Sequence, residues 1–461
     1  MVTDFKAPVT QGLFVLFPPP LGEGGGRFPP PLAGEGRVGA VSIEEESVKR
    51  LRCRECGRLR DFEPAYVCEN CFGPLEVAYD LDAIRQRVSR HTIADGPASI
   101  WRYRELLPAP AGNPIDLGTG FTPLVEAKNL GEALGLDHLF VKNDTLNPTG
   151  SFKDRNVAVA TNFALSYGFD TLSCSSTGNL AGSVAAYAAR AGLRALVFIP
   201  ADLEPGKVGA ASAYGATIVE VEGTYDDVNR LCAELADQYR WAIVNVNLRP
   251  FYSEGSKTLA FEVVEQLGWQ APDHIVVPVA AGSLLAKTAK AFHELVGVGL
   301  VEGVPTRIHA AQAEGCAPVS TAIQRGLDTV TPVRPHSIDK SLAIGNPADG
   351  RYAARAVRAS GGWGTACRED AVLEGMAALA ETEGILSEPA GGVVVAGLRQ
   401  LVEEGRIERH ETVVICITGN GLKTTELFHP GEGRRLHLSK ARASEFEKAL
   451  AGVEKTPAAV G

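Results

Sequence analysis

From about residue 171 to residue 417 the chain alternates short apolar runs with longer stretches of helical spacing. Thr171–Ser175 reads as a strand leading into a helix over Asn179–Arg190. Ala195–Ile199 and Thr217–Val221 are further apolar runs of strand length. Between Asp226 and Tyr239, the residues Val228, Leu231, Cys232, Leu235 and Tyr239 mark one helix face. Trp241–Val246, His274–Val277, Arg307–Ala311 and Thr412–Ile417 are the remaining strand candidates. Apolar strands alternating with amphipathic helices predict parallel sheets in an α/β fold.

The two ends depart from this pattern. Phe17-Pro18-Pro19-Pro20-Leu21-Gly22-Glu23-Gly24 returns as Phe28-Pro29-Pro30-Pro31-Leu32-Ala33-Gly34-Glu35-Gly36. A Pro/Gly repeat cannot bury enough apolar surface to offset its ordering entropy. Residues 1–45 are therefore expected to be a disordered extension, of the kind a start codon placed too far upstream would add. Residues 46–80 form a compact cysteine-bearing module, and 81–430 the main domain, with a smaller subdomain over roughly 165–265 inserted in it. Residues 431–461 are charged and expected to be peripheral.

Composition narrows the function classes. With 45% hydrophobic and 22% charged residues, the chain suits a soluble globular protein with a large core. A net charge of -10 argues against nucleic acid or an anionic membrane surface as the main partner. The most apolar stretch, Val184–Pro200, is broken by Arg190 and Arg194, well short of the roughly 20 residues a membrane span needs. Without a signal peptide, and with an odd count of nine cysteines, a reducing cytoplasmic location is expected.

Four cysteines stand together as Cys53-x2-Cys56, an 11-residue gap, and Cys68-x2-Cys71. Two such knuckles bring four thiolates into tetrahedral reach, the arrangement of a structural zinc ribbon. Mixed charges and the lack of a basic-aromatic patch favour a structural clip over nucleic-acid binding.

The segment Asn147-Pro148-Thr149-Gly150-Ser151-Phe152-Lys153-Asp154-Arg155 puts Lys153 just past a turn, in the first turn of a helix. There the helix dipole disfavours the ammonium form, as an amine nucleophile requires. On chemistry alone, an ordinary solvated lysine in a capping turn fits equally well. Ser175-Ser176-Thr177-Gly178-Asn179 ends a strand and opens a helix, which suits a carboxylate as much as a plain N-cap. In Pro278-Val279-Ala280-Ala281-Gly282-Ser283-Leu284, small residues before a helix would let the backbone approach a phosphate. Thr418-Gly419-Asn420-Gly421-Leu422-Lys423 follows a strand in the same way. No Walker-type loop, nucleophilic serine motif or carboxylate pair competes with these segments.

Taken in order, the four segments resemble the motifs of the fold-type II pyridoxal-phosphate (PLP) enzymes. That family includes tryptophan synthase β, cysteine synthase, threonine dehydratase and threonine synthase. Phe152-Lys153-Asp154-Arg155, Thr418 with Gly-x-Gly-Leu-Lys, and the cysteine module are similar to the threonine synthase branch. The resemblance implies two parallel-sheet subdomains with PLP in the cleft between them, behind a zinc-ribbon-like module. It implies a homodimeric carbon-oxygen lyase that converts O-phospho-L-homoserine and water into L-threonine and phosphate.

Residue by residue, Lys153 would carry PLP and move protons at Cα and Cβ. Asn179 would meet the ring hydroxyl oxygen, Thr418 the pyridine nitrogen, and Ala280, Ala281, Gly282, Ser283 and Leu284 the cofactor phosphate. Ser176 and Thr177 would grip the substrate carboxylate. Arg249 in Asn245–Pro250 and Lys257 in Glu254–Thr258 are the candidates for the substrate phosphate, which needs cations or hydroxyls. Cys53, Cys56, Cys68 and Cys71 would hold Zn2+. Cysteate synthase, with O-phospho-L-serine and sulfite, and an amino-acid dehydratase are the competing activities. A zinc-ribbon binding protein on an inactive scaffold is the competing non-enzyme reading. Deleting residues 1–40 is expected to leave activity and Tm almost unchanged; a large loss of either would show that the repeat is folded or functional.

Overall fold

The computed structural model describes residues 49–108, 112–176, 178–201, 209–223, 225–428 and 436–451. The Pro/Gly repeat lies outside these residues, as do 429–435 and 452–461 of the C-terminal segment.

The chain first forms a small antiparallel sheet. β1 (Lys49–Cys53) turns back as β2 (Leu59–Arg60), and β3 (Leu75–Tyr79) pairs with the other edge of β1. Leu51 and Cys53 on β1 and Leu75 and Val77 on β3 are buried, the alternation of a sheet wet on one face. β3 is anchored below by a cluster of buried charges. The Tyr79 hydroxyl donates to the fully buried Glu254 at 2.8 Å, while Lys290 donates to the Val77 carbonyl and to Glu254. Lys257 and Lys287 complete the cluster, and together the three lysines hold the Glu254 carboxyl well below its ordinary range despite its burial.

Two parallel sheets follow. After β4 (Leu124–Glu126) and β5 (His138–Asn143), the chain builds β6 (Thr171–Ser175), β7 (Arg194–Pro200), β8 (Thr217–Val221) and β9 (Ala242–Ile243). These four form an all-parallel sheet of order β8-β7-β6-β9. β10 (His274–Pro278), β11 (Arg307–Ala313), β12 (Gly364–Cys367) and β13 (Thr412–Ile417) then return to β4 and β5. The resulting order is β12-β11-β10-β13-β5-β4, parallel except for β4. Every residue of β6 and β10 is buried, as expected where helices cover both faces.

The strand expected over Trp241–Val246 is only Ala242–Ile243. Asn247 accepts from the Ile243 N–H and donates to the Trp241 carbonyl, so a side chain closes the turn where the ladder would have continued. β4, β5 and β12 were not anticipated; β4 and β12 are edge strands of three and four residues.

The helix Lys153–Ser166 is buried from Asp154 through Ala164, so its charged residues must find partners inside the protein. Arg155 is fully buried and meets Asp144 through Nε and Nη2 (2.7 Å each) and Glu262 through Nη1 and Nη2 (2.5 and 2.8 Å). Lys142 lies 2.6 Å from Glu262. Burial alone would raise the Glu262 carboxyl, but Arg155 and Lys142 hold it at about 2. Two cations thus face two anions in direct contact inside the core, an arrangement that tolerates no missing member. Arg155→Met is expected to cost about 3–5 kcal/mol of stability, the scale for breaking a buried pair from one side. Chemical denaturation measures it; a loss below about 1 kcal/mol, the scale of an exposed pair, would contradict the account.

Candidate active site

β10, β13 and β5 are parallel neighbours, so their carboxyl ends open on the same edge of the sheet. β10 leads into Val279–Leu284, β13 into Thr418–Lys423, and β5 into the turn before Lys153. Open α/β sheets bind ligands outside this edge. Backbone bonds stitch two of the three loops together. The Phe152 N–H donates to the Thr418 carbonyl at 2.9 Å, and the Asn420 N–H to the Gly150 carbonyl at 2.9 Å. Lys153 is thereby tied beside Thr418.

Among the described residues no carboxylate pairs with Lys153. The acid next to it in sequence, Asp154, points away and is held by the Thr149 N–H and hydroxyl (2.7 Å each) and by Ser183 Oγ (2.6 Å). Burial without a compensating charge lowers the Lys153 amine to about 8. Desolvation thus acts on an amine that stands, as the sequence suggests, in the first turn of the helix Lys153–Ser166.

Asn179 begins the helix Asn179–Ala191, which follows β6 of the four-stranded sheet, yet its side chain reaches the other sheet's loops. Its Nδ2 donates to Glu388 Oε2 at 2.7 Å, and its Oδ1 accepts from Lys423 Nζ at 2.6 Å. Lys423 also donates to the Gly150 carbonyl at 2.8 Å. The Glu388 carboxylate lies over Gly419, where a Cβ would stand 1.8 Å from Oε2. Burial raises the Glu388 carboxyl and lowers the Lys423 amine. The sequence reading assigned a role to neither residue. The signals were Glu388-Pro389 at a helix start and the lysine closing the Gly-rich segment after Thr418. Ser176 stands partly exposed just after β6, and Thr177 lies outside the described residues.

The two candidates for the substrate phosphate separate. Arg249 is about one-third exposed and donates to Asp349 Oδ2 at 2.7 Å. Arg54, from the first cysteine knuckle, donates to the other oxygen of Asp349 at 2.7 Å. Two guanidinium groups thus share one carboxylate beside Gly282, whose backbone Asp349 abuts, and Arg54 also lies 3.8 Å from Glu76. Lys257 is fully buried, and its ammonium serves Glu254, Glu294 and the Leu106 carbonyl at 2.7 Å each. With all three donors committed, Lys257 is a scaffold residue and does not reach a substrate phosphate.

The four clustered cysteines converge. Cys53 and Cys71 sulfurs are 3.5 Å apart, Cys56 and Cys68 sulfurs 3.7 Å, and all four lie within 4.8 Å of one another. Four sulfurs at about 2.3 Å from one tetrahedral centre would stand about 3.8 Å apart, so the set fits a zinc ion.

Residues 115–419 match the family model described as pyridoxal-phosphate dependent enzyme. The chain is 38% identical to the threonine synthase of Methanocaldococcus jannaschii over 376 residues, 81% of this chain and 92% of that protein. It is likewise 38% identical to the threonine synthase of Methanosarcina acetivorans, with 81% and 92% covered. This chain belongs to the pyridoxal-phosphate dependent enzymes, among the threonine synthases. Solved structures agree on the fold. The processed form of threonine deaminase isoform 2 from Solanum lycopersicum superposes with a TM-score of 0.54 at 19% identity, covering 72% of this chain and 82% of that one. Diaminopropionate ammonia lyase from Escherichia coli gives 0.57 at 21%, covering 68% and 87%.

The residues present fit the family's cofactor. The helix Ser283–Gly297 starts at Gly282 with no capping side chain, so its first N–H groups are open to an anion. Gly282 has φ +91°, and a Cβ there would meet the Asp349 backbone at 2.8 Å, so the loop admits only glycine and keeps its approach clear. The helix Asn179–Ala191 also starts without a side-chain cap, which leaves a second N-terminus open. In cofactor-free enzyme, acylation of Lys153 is expected to reach half its limiting rate near pH 8, as the deprotonated fraction rises with pH. Peptide mass spectrometry reads the rate; titration above about pH 10, like an exposed lysine, would sink the burial account.

Proposed function

We propose that this chain is a threonine synthase, converting O-phospho-L-homoserine and water into L-threonine and phosphate with PLP carried on Lys153. The reading rests on 38% identity across nearly the whole length of two threonine synthases, joined to a half-buried lysine without a counter-charge. Asn179 and Thr418 would hold the cofactor ring, and the backbone of Ala280, Ala281, Gly282, Ser283 and Leu284 its phosphate. PLP, when bound, supplies the electron sink that lets a proton leave the carbon bearing the amino group.

The chain's own residues then divide the work. Lys153, with an amine near 8, takes a proton at the substrate's Cα and another at Cβ, and returns protons afterwards. One tethered base serves two adjacent carbons because both lie within its reach. Phosphate departs from Cγ and water adds at Cβ. Ser176 and Thr177 hold the substrate carboxylate at the open start of the helix Asn179–Ala191. Arg249 faces the substrate phosphate, oriented by Asp349, which it shares with Arg54. Cys53, Cys56, Cys68 and Cys71 hold a structural Zn2+ in the module. No described helix is long and apolar enough to cross a membrane, which agrees with a cytoplasmic biosynthetic enzyme.

Purified enzyme given phosphohomoserine should release phosphate and threonine in equal amounts, and Lys153→Ala should abolish both. Borohydride reduction should fix PLP to the peptide containing Lys153. Turnover of phosphoserine with sulfite, or of threonine alone, without turnover of phosphohomoserine would overturn the assignment.

A further inference from the structure

Asp349 occupies the N-cap position of the helix Gly350–Ala359, where a carboxylate ordinarily accepts from its own helix's first N–H groups. It makes no such bond. One oxygen accepts from Arg54 and the other from Arg249, at 2.7 Å each, and the residue is almost completely buried. A local preference given up in this way marks a tertiary demand. The Asp349 backbone shows what is held, because its N–H donates to the Ala281 carbonyl at 2.8 Å. Its carbonyl group lies against Gly282, at the distance where a Cβ would collide. Asp349 is the outer wall of the loop Ala280–Leu284.

Arg54 comes from the cysteine module, between Cys53 and Cys56. Its guanidinium stacks over the Tyr352 ring at 3.4 Å from the centroid. The next residue, Glu55, accepts from the Tyr352 hydroxyl and from Arg351 at 3.1 Å. Both interior residues of the knuckle therefore grip one turn of chain, Asp349–Tyr352, and that turn backs the loop. We propose that Arg54 is a positioning residue for the cofactor's phosphate, and that the cysteine module braces the Ala280–Leu284 loop through Asp349. The proposal rests on the assignment of that loop to the PLP phosphate, and it extends the module's role beyond a clip on the fold.

The test measures PLP affinity of full-length enzyme by titrating the cofactor-free form and following tryptophan fluorescence. One equivalent of PLP bound by the parent enzyme, and reducible onto Lys153, establishes the underlying reading independently. Arg54→Met should weaken PLP binding about tenfold or more, the scale of a lost charge-assisted bond or supporting partner. Binding of pyridoxal, which lacks the phosphate, should change little. Arg50→Met, on the same strand and exposed in its pair with Asp61, should leave both affinities unchanged.

Asp349→Asn, which leaves the module intact, should also weaken PLP binding, and adding Arg54→Met to it should cost nothing more. If Arg54 acted only as a nearby positive charge, Asp349→Asn would instead tighten PLP binding, and that result overturns the brace. Equal losses for PLP and pyridoxal overturn it too, as does parental PLP affinity in an Arg54→Met protein that retains its metal.

Discussion

An amine that must stay reactive inside a folded protein needs company that will not neutralise it, and Lys153 sits in a sequence that works against this. The next two residues are an acid and a base, and the helix they begin is buried. Each charged neighbour is therefore given its own partners. Asp154 is satisfied by two hydroxyls and an amide, Arg155 by Asp144 and Glu262, and Lys142 by Glu262. Without Arg155, the buried Asp144 would lose its cation and Glu262 would keep only Lys142. The ion cluster is then a condition for the fold of the helix that begins at Lys153.

The same constraint explains what was legible in the sequence. Strand-to-helix turns with small residues are local features, and the three loops that follow β5, β10 and β13 could be located from their own residues. That they meet on one edge follows from parallel pairing, which apolar runs such as His274–Val277 and Thr412–Ile417 announce. Charge partners are a different matter. Lys257 reads as a possible phosphate ligand because Glu294 and the Leu106 carbonyl are 37 and 151 residues away in the chain. Arg155 and Glu262 are separated by 107 residues, so their pairing has no local signature. Glu388 and Lys423 were missed for the same reason, since Asn179 lies 209 and 244 residues from them. Short edge strands such as β4 and β12 have too few residues to display a period.

The two parallel sheets are joined near the site by side chains rather than by a shared ladder. Asn179 belongs to the helix after β6, while Glu388 and Lys423 belong to segments adjoining the six-stranded sheet. A single amide, with its oxygen on a lysine and its nitrogen on a carboxylate, spans the gap. Lys423 fixes the orientation of that amide, because an ammonium only donates and so requires the oxygen.

That arrangement gives ligand entry the character of an exchange. The Asn179 N–H that would serve an incoming acceptor is already engaged by Glu388, a carboxylate largely withdrawn from water. An occupant of the cleft must therefore compete with an internal ligand before it gains anything. Once displaced, Glu388 has either to find another donor or to take up a proton, which its burial already favours. Affinity at this position reports the difference between two acceptors for one donor. Proton uptake on binding would follow from the protein's own carboxylate, with no proton contributed by the ligand.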